Sequence, residues 1–274
     1  MALLNPAQLQ NAIHLDKCVH GHLCHGYRWR ITDEEVLAQL VAWTMQGHYQ
    51  HAERVLTSLN VASPLAMPTF QQQAASRLTL PPDLGEDEPA RWHRDGLVFQ
   101  HIAWIAAVIE GNGSIASMMP HLRPADKGFD SLLIPLNPQR EAVNGLFICE
   151  EKATKNPRTQ IRDEVLPAIR EMEAGLRDAE LNGHVMAILK EYDVQNIENI
   201  ITDLHWMGQK SYRVSITISP SQNEDSKRAK LFKDYDDTVS GDVGRRRAET
   251  LVLPNLRDWM DTFCEKALKA IETT

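Results

Sequence analysis

The segment from Gly128 to Lys155, GFDSLLIPLNPQREAVNGLFICEEKATK, constrains the fold of this chain more than any other. Phe129 to Leu136 is mostly apolar around Asp130, and Gly145 to Cys149 leads into Glu150, Glu151 and Lys152. Short apolar runs bounded by Gly, Asn and Pro read as strands. The interval from Asn137 to Val143 predicts a hairpin with a wide loop instead of a tight two-residue turn. Side chains alternate across a strand, so Glu150 and Lys152 point to one side and Glu151 to the other. If the two strands are neighbours, Asp130 and Glu150 approach each other. Two like charges at close range are costly unless a cation bridges them, and carboxylate oxygens suit Mg²⁺ or Mn²⁺. Such an ion polarises a phosphodiester oxygen, while Lys152 orients or helps deprotonate the attacking water. The competing structural account makes these residues a solvated strand end, with Lys152 blocking unwanted edge pairing.

The flanking segments supply the rest of an α/β (α+β) architecture. LVFQHIAWIAAVIE, from Leu97 to Glu110, is apolar enough for a buried helix ahead of the first core strand. Beyond Lys152, Pro157 is placed to start a helix running to about Leu176, with Val165, Ile169 and Met172 covering the sheet. A further helix is expected over 182–192, with a boundary or short element over 193–204. YRVSITI, from Tyr212 to Ile218, alternates as a strand does, with Arg213 and Ser215 on one face. The last helix, about Pro254 to Ile271, carries Leu256, Trp259, Met260, Phe263, Leu268 and Ile271 at helical intervals.

Residues 1–90 read as a mainly helical N-terminal region and residues 91–274 as a catalytic domain. Thr32 with Glu35 forms a capping-box pattern ahead of Val36, Leu37, Leu40, Val41 and Met45, and the helical region is expected to continue from His48 to Leu59. Pro81-Pro82 and Gly85 to Pro89 mark the linker. Cys18, His20, His22, Cys24 and His25 are zinc-ligand types, but their alternating spacing is not that of the usual structural zinc sites, and a strand segment fits better.

Asp130, then Glu150-x-Lys152 after a hairpin interval, then a helix from Pro157, resemble the PD-(D/E)xK nuclease superfamily. The match assigns Asp130, Glu150 and Lys152 to the acidic, acidic and lysine positions; Phe129 stands where that motif has proline. The resemblance implies a restriction-endonuclease-like core of order α-β-β-β-α-β with a mixed central sheet flanked by helices. It also implies DNA hydrolysis with Mg²⁺ or Mn²⁺ held by Asp130, Glu150 and the Glu151 backbone carbonyl. Some members add an acidic residue from the first core helix, for which Glu110 is the best local match ahead of His93 and His101. From Trp92 onward, including KGFD, CEEKAT and GRRR, the chain is also similar to the nuclease subunit of the Hachiman anti-phage defence system. That likeness implies a superfamily 2 helicase as partner. Lys155, Arg158, Arg162 and the Arg245-Arg246-Arg247 cluster are the candidate nucleic-acid contacts, with Arg123 and Lys127 near Asp130 and Gln160 as an accessory.

Composition bounds these expectations. A formal net charge of −8 opposes strong unaided binding to nucleic acid, so a partner is expected to supply phosphate contacts. Lys227, Arg228, Lys230 and Lys233 are followed at once by acids and read as a solvent-facing element. The four cysteines form no compact disulfide framework, no run is apolar enough to span a bilayer, and the N-terminus lacks a signal-like segment, so a cytoplasmic protein is expected. No GxxxxGK[ST] loop is present, so ATP hydrolysis is expected only in another chain. The alternative from a different class is a noncatalytic, nuclease-like subunit that binds or regulates a partner.

Overall fold

A computed structural model of the chain describes residues 12–48, 52, 67–112, 114–122, 128–137, 139, 141–206 and 210–273. Most of the helical continuation from His48 to Leu59, and Arg123 and Lys127, lie outside them. The described strands are β1 (Ile13–His20), β2 (Cys24–Ile31), β3 (Ile115–Ser117), β4 (Ser131–Pro135), β5 (Phe147–Lys152), β6 (Ser211–Ile218) and β7 (Arg246–Val252). They form one mixed sheet in the order β1-β2-β7-β6-β5-β4-β3. The β1–β2 and β3–β4–β5 pairings are antiparallel, and β2, β7, β6 and β5 run parallel to their neighbours within that central group.

Helices cover both faces. On one lie α1 (Glu34–Met45), α2 (Pro68–Leu78), α3 (Pro89–Gly111) and, much later in the chain, α9 (Leu256–Thr273). On the other lies α4, made of α-helical Pro157–Gln160, a π-helical turn over Ile161–Val165 and α-helical Leu166–Glu173. It is followed by α5 (Asp178–Glu191), α6 (Ile197–Trp206), α7 (Asp225–Leu231) and α8 (Tyr235–Thr238). The result is a mixed α/β fold with a central sheet between two helical layers. The hairpin β1–β2 enters this same sheet, and the core under α1 draws side chains from both sides of residue 90.

Local chemistry explains the elements that frame the site. α3 begins with Pro89, whose missing amide costs nothing in a first turn, and ends at Asn112, which takes a left-handed conformation with φ 43°. Its middle, from Leu97 to Val108, is buried almost throughout because sheet and helices enclose it. The π-turn in α4 ends two residues before Pro167: proline has no amide to donate and crowds the carbonyl of Asp163, and Leu166 donates instead to Ile161, five residues back.

Two sequence expectations need correction here. The N-cap of α1 is Asp33, whose side chain accepts from the Val36 amide, and not Thr32. GRRR, expected as an accessible basic patch, is instead the entry to β7, a central strand with neighbours on both sides. Arg245, Arg246 and Arg247 are all buried.

Candidate active site

β4 and β5 are antiparallel with Ser131 opposite Cys149, so one step further Asp130 comes opposite Glu150. Lys152 lies two residues on, at the end of β5 and on the same face as Glu150. Its Nζ donates to Asp130 Oδ2 at 2.8 Å and to Glu150 Oε2 at 2.9 Å. Asp130 Oδ2 also accepts from the Glu151 backbone amide at 2.8 Å, and its Oδ1 accepts from Gln100 Nε2 at 2.9 Å. The expected trio is therefore assembled, and Gln100 of α3 joins it. Sequence reasoning missed Gln100; its only signal is a lone amide in the apolar run LVFQHIAW.

Electrostatics follow from burial. Glu150 is pushed above the ordinary carboxylate range by burial and by the nearby Asp130 charge, with Lys152 acting the other way. The two carboxylates hold the Lys152 ammonium well above the usual lysine range despite its burial. At neutral pH Lys152 is thus a cation fixed between two acids. Arg177, at the start of α5, adds positive potential toward Glu150 while its guanidinium lies 4.1 Å from the centre of the Phe129 ring.

Asp130 and Lys152 line a cleft of about 620 Å³ at the C-terminal end of β5, while Glu150 is buried behind them. α3 lines one wall with Trp92, His93, Gly96 and Gln100, and Thr159, Gln160 and Glu164 of α4 line the other. A second hollow of about 220 Å³ shares Thr154 and Lys155 with it and extends to Asn255. The cleft wall contains Asp87, Asp130, Glu151 and Glu164 against Lys152, Lys155 and Arg257, so it is not a ready-made polyanion groove.

The other candidate residues divide clearly. The Glu151 side chain is turned to the opposite face of β5, where Ser131 Oγ donates to it at 2.7 Å. Burial and the Asp130 charge push that carboxyl up to about 8. Glu110, the expected extra ligand, instead pairs with Arg247 at the far end of α3. It is ten residues, or about 15 Å of helix, from Gln100. The Arg245–Arg247 cluster is consumed internally: Arg245 binds Glu173 at 2.8 Å, Arg246 donates to the carbonyls of His22, Leu23 and Val239, and Arg247 pairs with Glu249 as well as Glu110. All three guanidinium groups are thus buried and engaged within the fold.

Lys155 lines the cleft and pairs with Glu86; Arg158 pairs with Asp234 at 2.7 Å; Arg162 pairs with its neighbour Asp163. His93 lines the cleft, whereas His101 is buried against Thr44, and burial lowers it to about 3.

No group of three or more His, Cys, Asp and Glu side chains is arranged to hold a metal ion among the described residues, the Cys18–His25 segment included. What the site offers is a two-carboxylate set, with oxygens already gathered around one cation. That donor set fits a hard divalent ion completed by a backbone carbonyl, water and substrate oxygens, as Mg²⁺ prefers. No family model matches this chain, and neither does any curated protein or solved structure.

Proposed function

We propose that this chain is a divalent-metal-dependent nuclease that hydrolyses DNA phosphodiester bonds. The observation that carries the proposal is the gathering of Asp130 and Glu150 around the Lys152 ammonium, at a strand end that opens into a cleft. The order α3-β3-β4-β5-α4-β6, with β5 and β6 parallel across the helical crossover, supports a restriction-endonuclease-like core. Asp130, Glu150 and the Glu151 carbonyl are the residues that would hold Mg²⁺ or Mn²⁺. When bound, the ion supplies Lewis-acid polarisation of a phosphoryl oxygen and a more acidic water.

The chain's own residues do the rest. Gln100 fixes the rotamer of Asp130 through its Oδ1. Lys152 acts as a hydrogen-bond donor at Nζ, orienting water and offsetting the negative charge that grows on the phosphate. Its elevated affinity for protons favours this role over that of a base.

The test is cleavage of supercoiled and linear DNA by the full chain in Mg²⁺, Mn²⁺ and chelator, with Glu150→Gln and Lys152→Met in parallel. Metal-dependent nicking by the wild type, lost in both variants with the fold retained, is expected. Equal activity in Glu150→Gln sinks the proposal.

A second reading is favoured by the internal pairing of Lys155, Arg158 and Arg162. In it the chain is a nuclease-like subunit that depends on a partner, such as a superfamily 2 helicase in a cytoplasmic anti-phage complex, for its hold on DNA. Cleavage that appears only when a co-purified partner is added selects this version; no cleavage under either condition leaves a noncatalytic subunit. No described helix is long and apolar enough to cross a membrane.

A further inference from the structure

Trp92 is one of the few large apolar side chains exposed among the described residues, at 45% of its surface, and it lies on the wall of the cleft that holds Asp130 and Lys152. On α3 it is followed at four-residue intervals by Gly96 and Gln100, so the three share one stripe of the helix. A Cβ at Gly96 would meet nothing within 4 Å, which leaves an open notch between the indole and Gln100. Gln100 in turn holds Asp130. The stripe thus begins at an uncovered aromatic face, crosses a notch and ends at the catalytic acid.

Building on the nuclease reading, we infer that Trp92 is a stacking platform for an unpaired base of the substrate strand, seated beside the notch at Gly96. Trp92 lies about 12 Å along the helix from Gln100. A strand with bases at least about 3.4 Å apart spans that distance in no more than about four nucleotides. The stacked base therefore belongs to the same short segment as the scissile phosphate. Chemistry favours a base over a phosphate at this point, because the exposed indole offers a stacking face while the wall around it mixes acids and cations and presents no cationic cradle. A base inside a duplex has both faces covered by its neighbours, so the indole selects a single strand, a frayed end or an overhang. Base–aromatic stacking of this kind is tolerant of sequence.

The experiment measures binding of a fluorescent single-stranded 12-mer, and of a blunt duplex, to the full chain in Ca²⁺. Trp92→Ala is expected to weaken single-strand binding by about 5- to 150-fold, the range that loss of one stacked base produces. Trp92→Phe should stay within about threefold of wild type because the ring is kept. Gly96→Leu, which fills the notch, should weaken binding as Trp92→Ala does. Intact oligonucleotide on Trp92→Ala and an oligonucleotide of abasic sites on wild type should bind equally poorly. Unchanged single-strand binding by Trp92→Ala, or wild type that binds duplex better than single strand, overturns the inference. The two claims separate: Trp92-dependent binding without cleavage in Mg²⁺ or Mn²⁺ removes the nuclease and keeps the platform. Cleavage with binding indifferent to Trp92 does the reverse.

Discussion

The two faces of β5 carry charge clusters of similar composition and opposite condition. Toward α4, Asp130 and Glu150 share the single ammonium of Lys152, and Asp130 and Lys152 reach the cleft. Toward α3, Glu110, Arg247, Glu249 and Arg213 form a chain of ion pairs that ends near Glu151 and is closed off by the helix. Arg213 sits 2.7 Å from Glu249, also donates to the Ala103 carbonyl of α3, and is essentially unexposed. Both clusters consist of acids and bases on neighbouring strands, with Glu110 of α3 joining the closed one. The closed one matches Glu110 and Glu249 with two arginines and is inaccessible at Arg213, whereas the open one holds two carboxylates to one ammonium and reaches an opening. Under the nuclease reading, charge type alone does not mark the site; what separates the two clusters is a deficit of partners at an accessible strand end.

The comparison breaks first at the open face. Lys152→Met and Glu150→Gln are each expected to reduce DNA cleavage by about 10²–10³-fold or more, while Glu150→Gln, which removes one charge from the acid-rich group, changes thermal unfolding little by comparison. Removing a base from the closed face should do the opposite. Arg213→Met leaves Glu249 short of a buried counter-charge, and a cost of about 3–5 kcal/mol in denaturant unfolding is expected. If Arg213→Met abolished cleavage at full stability, the two faces would not differ as described.

Glu151 sharpens the contrast, because it stands where the closed chain of ion pairs meets the cleft. Its carboxyl titrates at about 8 in the fold against an ordinary 4.5, from burial first and the Asp130 charge second. The native state therefore keeps a proton that the unfolded chain releases. Its contribution to stability is fully present below about 4.5 and is lost as pH rises toward 8. Glu151→Gln cannot titrate, so its stability should fall less than that of wild type between pH 5 and pH 9, measured by thermal unfolding. Parallel pH profiles for the two proteins would remove Glu151 from the account.

What the sequence made legible follows the range of the interactions. β4, β5 and β6 announce themselves by apolar runs, and the Glu150-x-Lys152 alternation fixes a face without any tertiary knowledge. The Cys18–His25 segment reads as strand, but nothing local says that its hairpin would lie against β7 at the other end of the chain. β7 was hidden because its first residues are arginines whose partners are remote: Glu110 is 137 residues from Arg247. Arginine on a central strand looks like surface until its counter-ions are known. Gln100 and Trp92 were equally hidden, since one lies in a segment that reads as buried helix and the other at the edge of an apparent linker. Only the packing of α3 beside β4 brings Gln100 to Asp130.

Arg245 gives the mildest test and bears on that lesson directly. Its guanidinium pairs with Glu173 and donates to the carbonyls of Ser240 and Lys210, so it ties the end of α4 to the turn before β7. Arg245→Ala leaves Glu173 and two carbonyls without this partner, and because Glu173 retains the Tyr212 hydroxyl at 2.8 Å, a loss of only about 1–3 kcal/mol is expected. DNA binding should be unchanged, and its dependence on salt should keep the same slope, since a true phosphate contact would lower that slope by about one. A reduced slope at full stability would return Arg245 to the substrate surface and show that basic residues entering a central strand can still reach DNA.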